Sequence, residues 1–247
     1  MELNLKGKRI IVTGASKGIG RAIAQALLAE GARLAICARD PSQLEEAAAA
    51  LSKHGEVHHQ VADMSQDGAP ADFASWAAQT LGGLDIVVSN VSAMSNSFRE
   101  CVETDILGVQ SLLRESLKHM ADHSGANIIC ISSRAASMGM PRLQSYATVK
   151  AATISMVKSL AMELGPRGIR VNAVSPGDIF FPGGGWDVIR QHKPTWYKTA
   201  LAENPYGRLG KPEEVADVVT FIASDRASFI SGANILVDGA ATTGLQI

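Results

Sequence analysis

The chain has little cysteine, few aromatic residues and no excess of either charge. Three cysteines in 247 residues (Cys37, Cys101 and Cys130) are too few and too scattered for a disulfide framework or a zinc cluster. A reducing compartment suits such a chain, and the expectation is a cytoplasmic protein. Cys37 and Cys130 sit in apolar runs and read as buried thiols. Lys plus Arg number 23 and Asp plus Glu 24, a formal net charge of -1. With no basic or acidic run, nothing favours nucleic acid or an anionic membrane as partner. No apolar run is long enough to span a bilayer. The opening segment, Met1 to Lys8, lacks the apolar core of a signal peptide.

No repeat, linker or low-complexity stretch divides the chain, so one domain is expected over 1–247. Hydrophobic residues make up 46% of it, enough for a sizeable core. Strand-like runs are expected at Arg9–Val12, Ala32–Ala38, Val57–Ala62, Leu84–Asn90, Asn127–Ser132, Arg170–Ser175 and Asn234–Val237. Helical patterns fall between them, at about 21–30, 41–51, 69–81, 98–123, 145–165 and 212–224. Strict alternation predicts an α/β fold: a single Rossmann-type, doubly wound, mostly parallel sheet of about seven strands with helices on both faces. His58 and His59 are adjacent in one strand and face opposite ways, so no metal site is expected there.

The first strand runs into Thr13-Gly-Ala-Ser-Lys-Gly-Ile-Gly20 and then a helical pattern with Ile19, Ile23 and Leu27 four apart. Glycines allow close backbone approach, and a helix N-terminus offers free N–H groups to phosphate. Between a strand and a helix, such a turn is a moderate signal for a nucleotide. The second strand ends in Ala38, where dinucleotide-binding folds place an acidic residue on the ribose hydroxyls. Arg39 follows, and Lys17 lies in the glycine turn. Either cation alone is an ordinary surface charge; together they suit a 2′-phosphate and favour NADP(H) over NAD(H).

Tyr146 and Lys150 are four apart and share one face of a helix. Most such pairs are a packed ring and a solvated charge. A phenol titrates near ~10 and is a poor acid or base at neutrality. A fixed positive charge nearby favours its ionised form. Ser133, just after the preceding strand, can offer a hydroxyl to a substrate oxygen. Residues 180–206 carry Pro182-Gly-Gly-Gly185 with Trp186 and Trp196. They read equally as a hinged flap over a substrate and as helices that pack their tryptophans on the surface.

Taken together, these residues resemble the short-chain dehydrogenase/reductase family over nearly the whole chain, particularly its 3-oxoacyl-[acyl-carrier-protein] reductase-like members. The glycine turn matches T-G-x-x-x-G-x-G. Asp63 matches the family's adenine-contacting Asp, and Asn90 its Asn after the fourth strand. Ser133, Tyr146 and Lys150 match the Ser…Y-x-x-x-K triad, and Pro176-Gly177 the P-G after the sixth strand. The resemblance implies cofactor contacts from Gly14, Ser16, Lys17, Gly18, Ile19, Gly20, Arg39, Asp63, Met64, Asn90, Ser92, Pro176, Gly177 and Ile179, together with Tyr146 and Lys150. It implies that Tyr146 exchanges the proton on the substrate oxygen, Lys150 supports Tyr146 and the nicotinamide ribose, and Ser133 orients the substrate. The reaction would interconvert a ketone and a secondary alcohol. A homotetramer built on helices 98–123 and 145–165 and the C-terminal segment is implied as well.

Three positions depart from the family pattern. Asp105, in Thr104-Asp-Ile-Leu-Gly-Val109, stands where the family's fourth catalytic residue is Asn, and an ionised Asp only accepts hydrogen bonds. Ser92 replaces a glycine beside the cofactor, and Phe181 replaces a common Thr. Asp105 and Ser92 leave open a cofactor-binding regulatory protein without activity, although the intact triad argues against it. Met94, Ala135, Met138, Met140, Phe180, Trp186 and Trp196 suggest an apolar pocket for a small carbonyl or alcohol substrate such as a cyclic or aryl ketone; each reads equally as ordinary packing. A 3-oxoacyl thioester, on a carrier protein or CoA, is the alternative substrate. The segment Ser124-Gly-Ala-Asn127 lacks a cation, which disfavours the carrier protein.

Overall fold

Runs such as Ile10-Ile11-Val12 and Ile86-Val87-Val88 are apolar at consecutive rather than alternate positions. That pattern belongs to strands covered on both faces. The computed structural model, which describes residues 2–122 and 125–244, places them so. Ile10 and Val12 enter one core and Ile11 the other. The seven strands are β1 (Arg9–Thr13), β2 (Arg33–Ala38), β3 (Val57–Val61), β4 (Ile86–Ser89), β5 (Ala126–Ile131), β6 (Ile169–Pro176) and β7 (Asn234–Val237). They form one sheet in the order β3-β2-β1-β4-β5-β6-β7, every neighbouring pair parallel. The winding reverses between β1 and β4, which opens a crevice at their carboxyl ends.

Helices α1 (Gly18–Ala29) and α2 (Pro41–Leu51) cover one face, where Ile23, Leu27 and Leu44 are fully buried. α3 (Ala69–Leu81) covers the other with Phe73 and Ala77. Burying one such large apolar side chain contributes about 1.5–3 kcal/mol, so these positions carry the fold. Local signals set several boundaries. Asp40 caps α2 by accepting from the Gln43 N–H at 2.9 Å, and Pro41 occupies its first position. Gly82 ends α3 in the left-handed conformation.

The helix expected over 98–123 runs from Phe98 to His119 as α4 (Phe98–Val102), a wide π-helical turn (Glu103–Gly108) and α5 (Val109–His119). One close contact lies at the turn and one at the end. A Cβ on Gly108 would stand 2.1 Å from the Met64 carbonyl oxygen, so the chain presses close to the loop after β3 at the wide turn. Met120 then leaves the helix to bridge Leu84. Residue 123, and the start of the 124–127 segment read for a cation, lie outside the described residues.

α6 (Gln144–Leu164) and α5 cover the same face as α3, through Leu112, Leu113, Val157 and Leu164. The 180–206 segment folds as α7 (Gly185–His192) and α8 (Pro194–Glu203). α9 (Pro212–Ala223) packs against α1 through Val215, Val219 and Ile222. All three cysteines are buried, and burial pushes the Cys37 and Cys130 thiols up to about 12. His58 bonds Glu56 and His59 bonds Glu45, each separately. Among the described residues no acidic, His or Cys cluster could hold a metal ion, and no helix is long and apolar enough to cross a membrane.

Candidate active site

In a parallel sheet every strand delivers its following loop to the same edge. Six loops therefore converge: the glycine turn after β1, Arg39 after β2, Asp63 after β3, Asn90 after β4, Ser133 after β5 and Gly177 after β6. The fold thus gathers the residues singled out by sequence onto one edge.

The glycine turn is held by its neighbours. Gly14 and Ala15 donate to the Cys37 carbonyl at 2.9 and 3.2 Å. The Asn90 side-chain amide donates to the Thr13 and Gly14 carbonyls at 3.0 and 3.3 Å, and its backbone N–H donates to the Thr13 hydroxyl at 2.9 Å. Asn90 is thus a brace for the turn. A Cβ on Gly20 would stand 2.3 Å from the Gly14 carbonyl oxygen and 2.5 Å from the Asn90 Nδ2, so a side chain is excluded there. Lys17 is extended (φ -156°) and provides no side-chain cap to α1, which leaves the first helical N–H groups without a side-chain acceptor. This backbone cradle fits a nucleotide diphosphate. Ser16 and Ile19 are half-buried beside it, and Lys17 and Arg39 are exposed. The Asp63 Oδ1 accepts from the Ser65 N–H and hydroxyl at 3.0 and 2.8 Å, and Met64 is buried.

Lys150 lies one turn beyond Tyr146 on α6, as their spacing requires. Its Nζ stands 5.7 Å from the Tyr146 ring centroid. The Lys150 ammonium donates to the Ile131 carbonyl at 3.0 Å and lies 3.0 Å from Asp105 Oδ1. The two side chains are only 4% and 1% exposed. The approach to Oδ1 is a charge pair rather than an aligned hydrogen bond, since that oxygen has no hydrogen-bond donor in line. The other oxygen, Oδ2, accepts from the Ala93 N–H at 3.0 Å. Asp105 therefore ties the lysine to the loop after β4. A buried ammonium without such a partner would be strongly destabilising.

Ser133 is extended and caps the short turn Arg134–Ser137. Its Oγ accepts from the Ala135 N–H at 3.1 Å, which leaves its own proton to donate. The Ser132 hydroxyl donates to the Lys150 carbonyl at 2.9 Å and fastens β5 to α6. Next to Ser133, Arg134 pairs with Asp178 at 2.7 Å. Burial pushes the Asp178 carboxyl up, against the pull of the Arg134 guanidinium. This pair links the serine loop to the Pro176-Gly177 turn. The two residues are far apart in sequence and no motif flags them. Gly177 donates to the Val237 carbonyl at 3.0 Å, and Ile179 is buried and bridges Gly210.

Phe181 does more than replace a threonine. A Cβ on Gly18 would stand 2.5 Å from the Phe181 ring, and one on Gly184 2.7 Å from it. The ring is therefore wedged between the glycine turn and Gly184, just before α7. Ser92 Oγ accepts from the Met94 N–H at 3.4 Å, and Met94 takes the uncommon φ of 47°.

The seven proposed pocket residues separate into groups. Phe180 and Trp186 both meet Tyr197 edge-on, at 6.3 and 6.4 Å between centroids. Tyr197 was not foreseen; only its place in the aromatic-bearing segment hinted at it. Trp196 stands apart, 43% exposed, with the Arg142 guanidinium 4.9 Å and the Lys193 ammonium 4.7 Å from its centroid. Met94 and Met138 are exposed on the loops after β4 and β5. The Met140 carbonyl accepts from the Leu143 N–H, and Ala135 is buried.

Residues 14–242 match the family model described as enoyl-(acyl carrier protein) reductase. The chain is 34% identical over 256 residues to isoepoxydon dehydrogenase of Aspergillus clavatus, covering 98% of each. It is 35% identical over 247 residues to the 3-oxoacyl-[acyl-carrier-protein] reductase of Pseudomonas aeruginosa, covering 96% of this chain and 98% of that one. Among solved structures, L-sorbose reductase of Gluconobacter frateurii, complexed with NADPH and L-sorbose, superposes with a TM-score of 0.91 at 28% identity. That match covers 99% of this chain and 100% of the other.

Proposed function

Because the chain belongs to the short-chain dehydrogenase/reductase family and is an oxidoreductase of alcohols and carbonyls, we propose that it is NADP(H)-dependent and uses Tyr146 as its general acid and base. The observation that carries this reading is the buried Lys150 ammonium, fixed by Ile131 and Asp105 and set 5.7 Å from the Tyr146 ring. The bound cofactor supplies or accepts hydride at the substrate carbon. In reduction, Tyr146 gives its phenolic proton to the carbonyl oxygen, and in oxidation it takes the hydroxyl proton back. Ser133 donates a hydrogen bond to the same oxygen. Lys150 sets its ammonium beside the Tyr146 ring and toward the nicotinamide ribose. Asp105 is a positioning residue: it holds the lysine in place through a direct contact. Its presence in place of Asn therefore leaves the Tyr–Lys unit assembled.

Gly14, Gly18, Gly20 and the first turn of α1 would hold the diphosphate, with Lys17 and Arg39 on the 2′-phosphate. Asp63, Asn90, Ser92, Pro176, Gly177 and Ile179 complete the cofactor contacts. The substrate we propose is a small ketone or alcohol, cyclic or aryl, supported by the Phe180–Trp186–Tyr197 aromatic cluster. The second reading, a 3-oxoacyl thioester, is favoured by the identity to the Pseudomonas aeruginosa reductase. Purified protein with NADPH and a panel of cyclic ketones, aryl ketones and 3-oxoacyl thioesters tests both. Turnover confined to thioesters removes the first reading, and turnover of none removes both. A homotetramer and a cytoplasmic site are part of the proposal. Exposed Leu107 and Met162 support the former, which light scattering of the purified protein checks.

A further inference from the structure

The flap meets the loop that leads into the Tyr146 helix at one indole. Trp196 belongs to α8, Lys193 joins α7 to α8, and Arg142 lies four residues before Tyr146. The two cations stack on the ring at 4.7 and 4.9 Å from its centroid. A cation–π contact on an exposed indole biases each side chain toward this placement. Stacking does not neutralise them. Arg134, Arg190 and Arg208 each have a carboxylate, Asp178, Asp187 and Glu214 respectively. Arg142 and Lys193 have none among the described residues. The flap as a whole is cationic. Residues 180–206 hold Arg190, Lys193 and Lys198 against two acids, Asp187 and Glu203, in a chain of net charge -1. The same segment brings Phe180, Trp186 and Tyr197 together as an aromatic body.

We propose that Arg142 and Lys193, braced on Trp196, form a subsite for an anionic group that the substrate carries away from its reacting carbonyl. The group is a carboxylate, sulfonate or phosphate, the acceptors that a planar guanidinium binds through two parallel N–H bonds. The proposal rests on the carbonyl–alcohol reading above and adds the second group its substrate presents. Two sources share this chemistry, a small oxo acid and the phosphates of a CoA thioester.

The test uses the full-length enzyme with NADPH and two matched substrate pairs. One pair is a cyclic ketone and the same ketone bearing a carboxylate. The other is a 3-oxoacyl-CoA and its phosphate-free pantetheine thioester. At low ionic strength the anionic member of at least one pair has about tenfold higher kcat/KM, the equivalent of one good charge contact. The advantage lies in KM, shrinks with added salt, and falls to about unity in Arg142→Gln/Lys193→Gln. Both side chains are exposed, so the variant folds, and its melting temperature checks that. The pair that shows the advantage identifies the source. Equal kcat/KM within both pairs overturns the subsite, as does an advantage that survives the double substitution. Absence of turnover on every compound overturns the carbonyl–alcohol reading and the subsite with it, a result distinct from equal rates.

Discussion

Replacing Asp105 with alanine tests the geometry around the lysine in a way that does not depend on knowing the substrate. The Asp105 and Lys150 side chains are 1% and 4% exposed and 3.0 Å apart. Removing one member of a buried pair strands the other charge, at a cost of about 3–5 kcal/mol. The Ala93 N–H also loses its acceptor, about 1 kcal/mol more. In a chain of this size 1 kcal/mol moves Tm by about 2–4 °C, so a loss of about 4–6 kcal/mol in Asp105→Ala should lower it by roughly 8–24 °C. Asp105→Asn keeps an oxygen for Ala93 but loses the charge, and should fall between. Thermal melts followed by circular dichroism supply the numbers. A double-mutant cycle with Lys150→Met isolates the pair: removing both charges should cost several kcal/mol less than the sum of the single changes. An Asp105→Ala protein that melts within about 2 °C of the parent refutes the reasoning, and so does strict additivity in the cycle.

Other perturbations follow from the same contacts. Gly18→Ala should weaken NADPH binding and lower stability, because its Cβ would meet the Phe181 ring at 2.5 Å and Gly18 holds φ of 56°; isothermal titration and a melt measure the two effects, and unchanged binding contradicts the wedge. Lys17→Ala/Arg39→Ala should cut the preference for NADPH over NADH by about tenfold or more, the worth of one good charge contact, in fluorescence titrations. Glu214 bonds the Arg208 guanidinium and the Lys211 N–H, and Glu56 bonds the Arg33 guanidinium and His58; each carboxyl is lowered to about 2. An unfolded Glu titrates near ~4.3, so the stability these pairs contribute is complete above that value and is lost as pH falls toward about 2. Glu214→Gln should therefore be less stable than the parent at pH ~6 and indistinguishable from it near pH ~2, in denaturant titrations at each pH.

The parallel sheet was legible because strand-like runs alternate with helical ones, and runs such as Ile10–Val12 and Ile86–Val88 are apolar at consecutive positions. The boundaries of α2 and α3 were legible because Asp40, Pro41 and Gly82 are local signals. The wide turn at 103–108 and the end of α5 at His119 were not, since Gly108 meets the Met64 carbonyl and Met120 pairs with Leu84, contacts between distant segments. The site shows the same division. The spacing of Tyr146 and Lys150 placed them together on one helix face, and the turn before α1 announced a phosphate cradle. Asp105 was visible only as a departure from pattern. That its carboxylate reaches the lysine directly is a contact between the turn at Glu103–Gly108 and α6. Phe181 against Gly18, Arg134 with Asp178, and Trp196 between two cations join segments far apart in the chain, and no single stretch of sequence encodes them.

In the proposed reaction the Tyr146 phenol moves the substrate's proton while Lys150 and the glycine turn serve it. Tyr146→Phe removes one hydroxyl and keeps the ring that faces Lys150. Steady-state turnover, measured beside NADPH affinity on the same preparation, is the most direct test. Turnover should fall by about 10²–10⁴-fold, the usual worth of a positioned acid–base group, with NADPH affinity nearly unchanged. A variant that turns over at the parent rate would contradict the account.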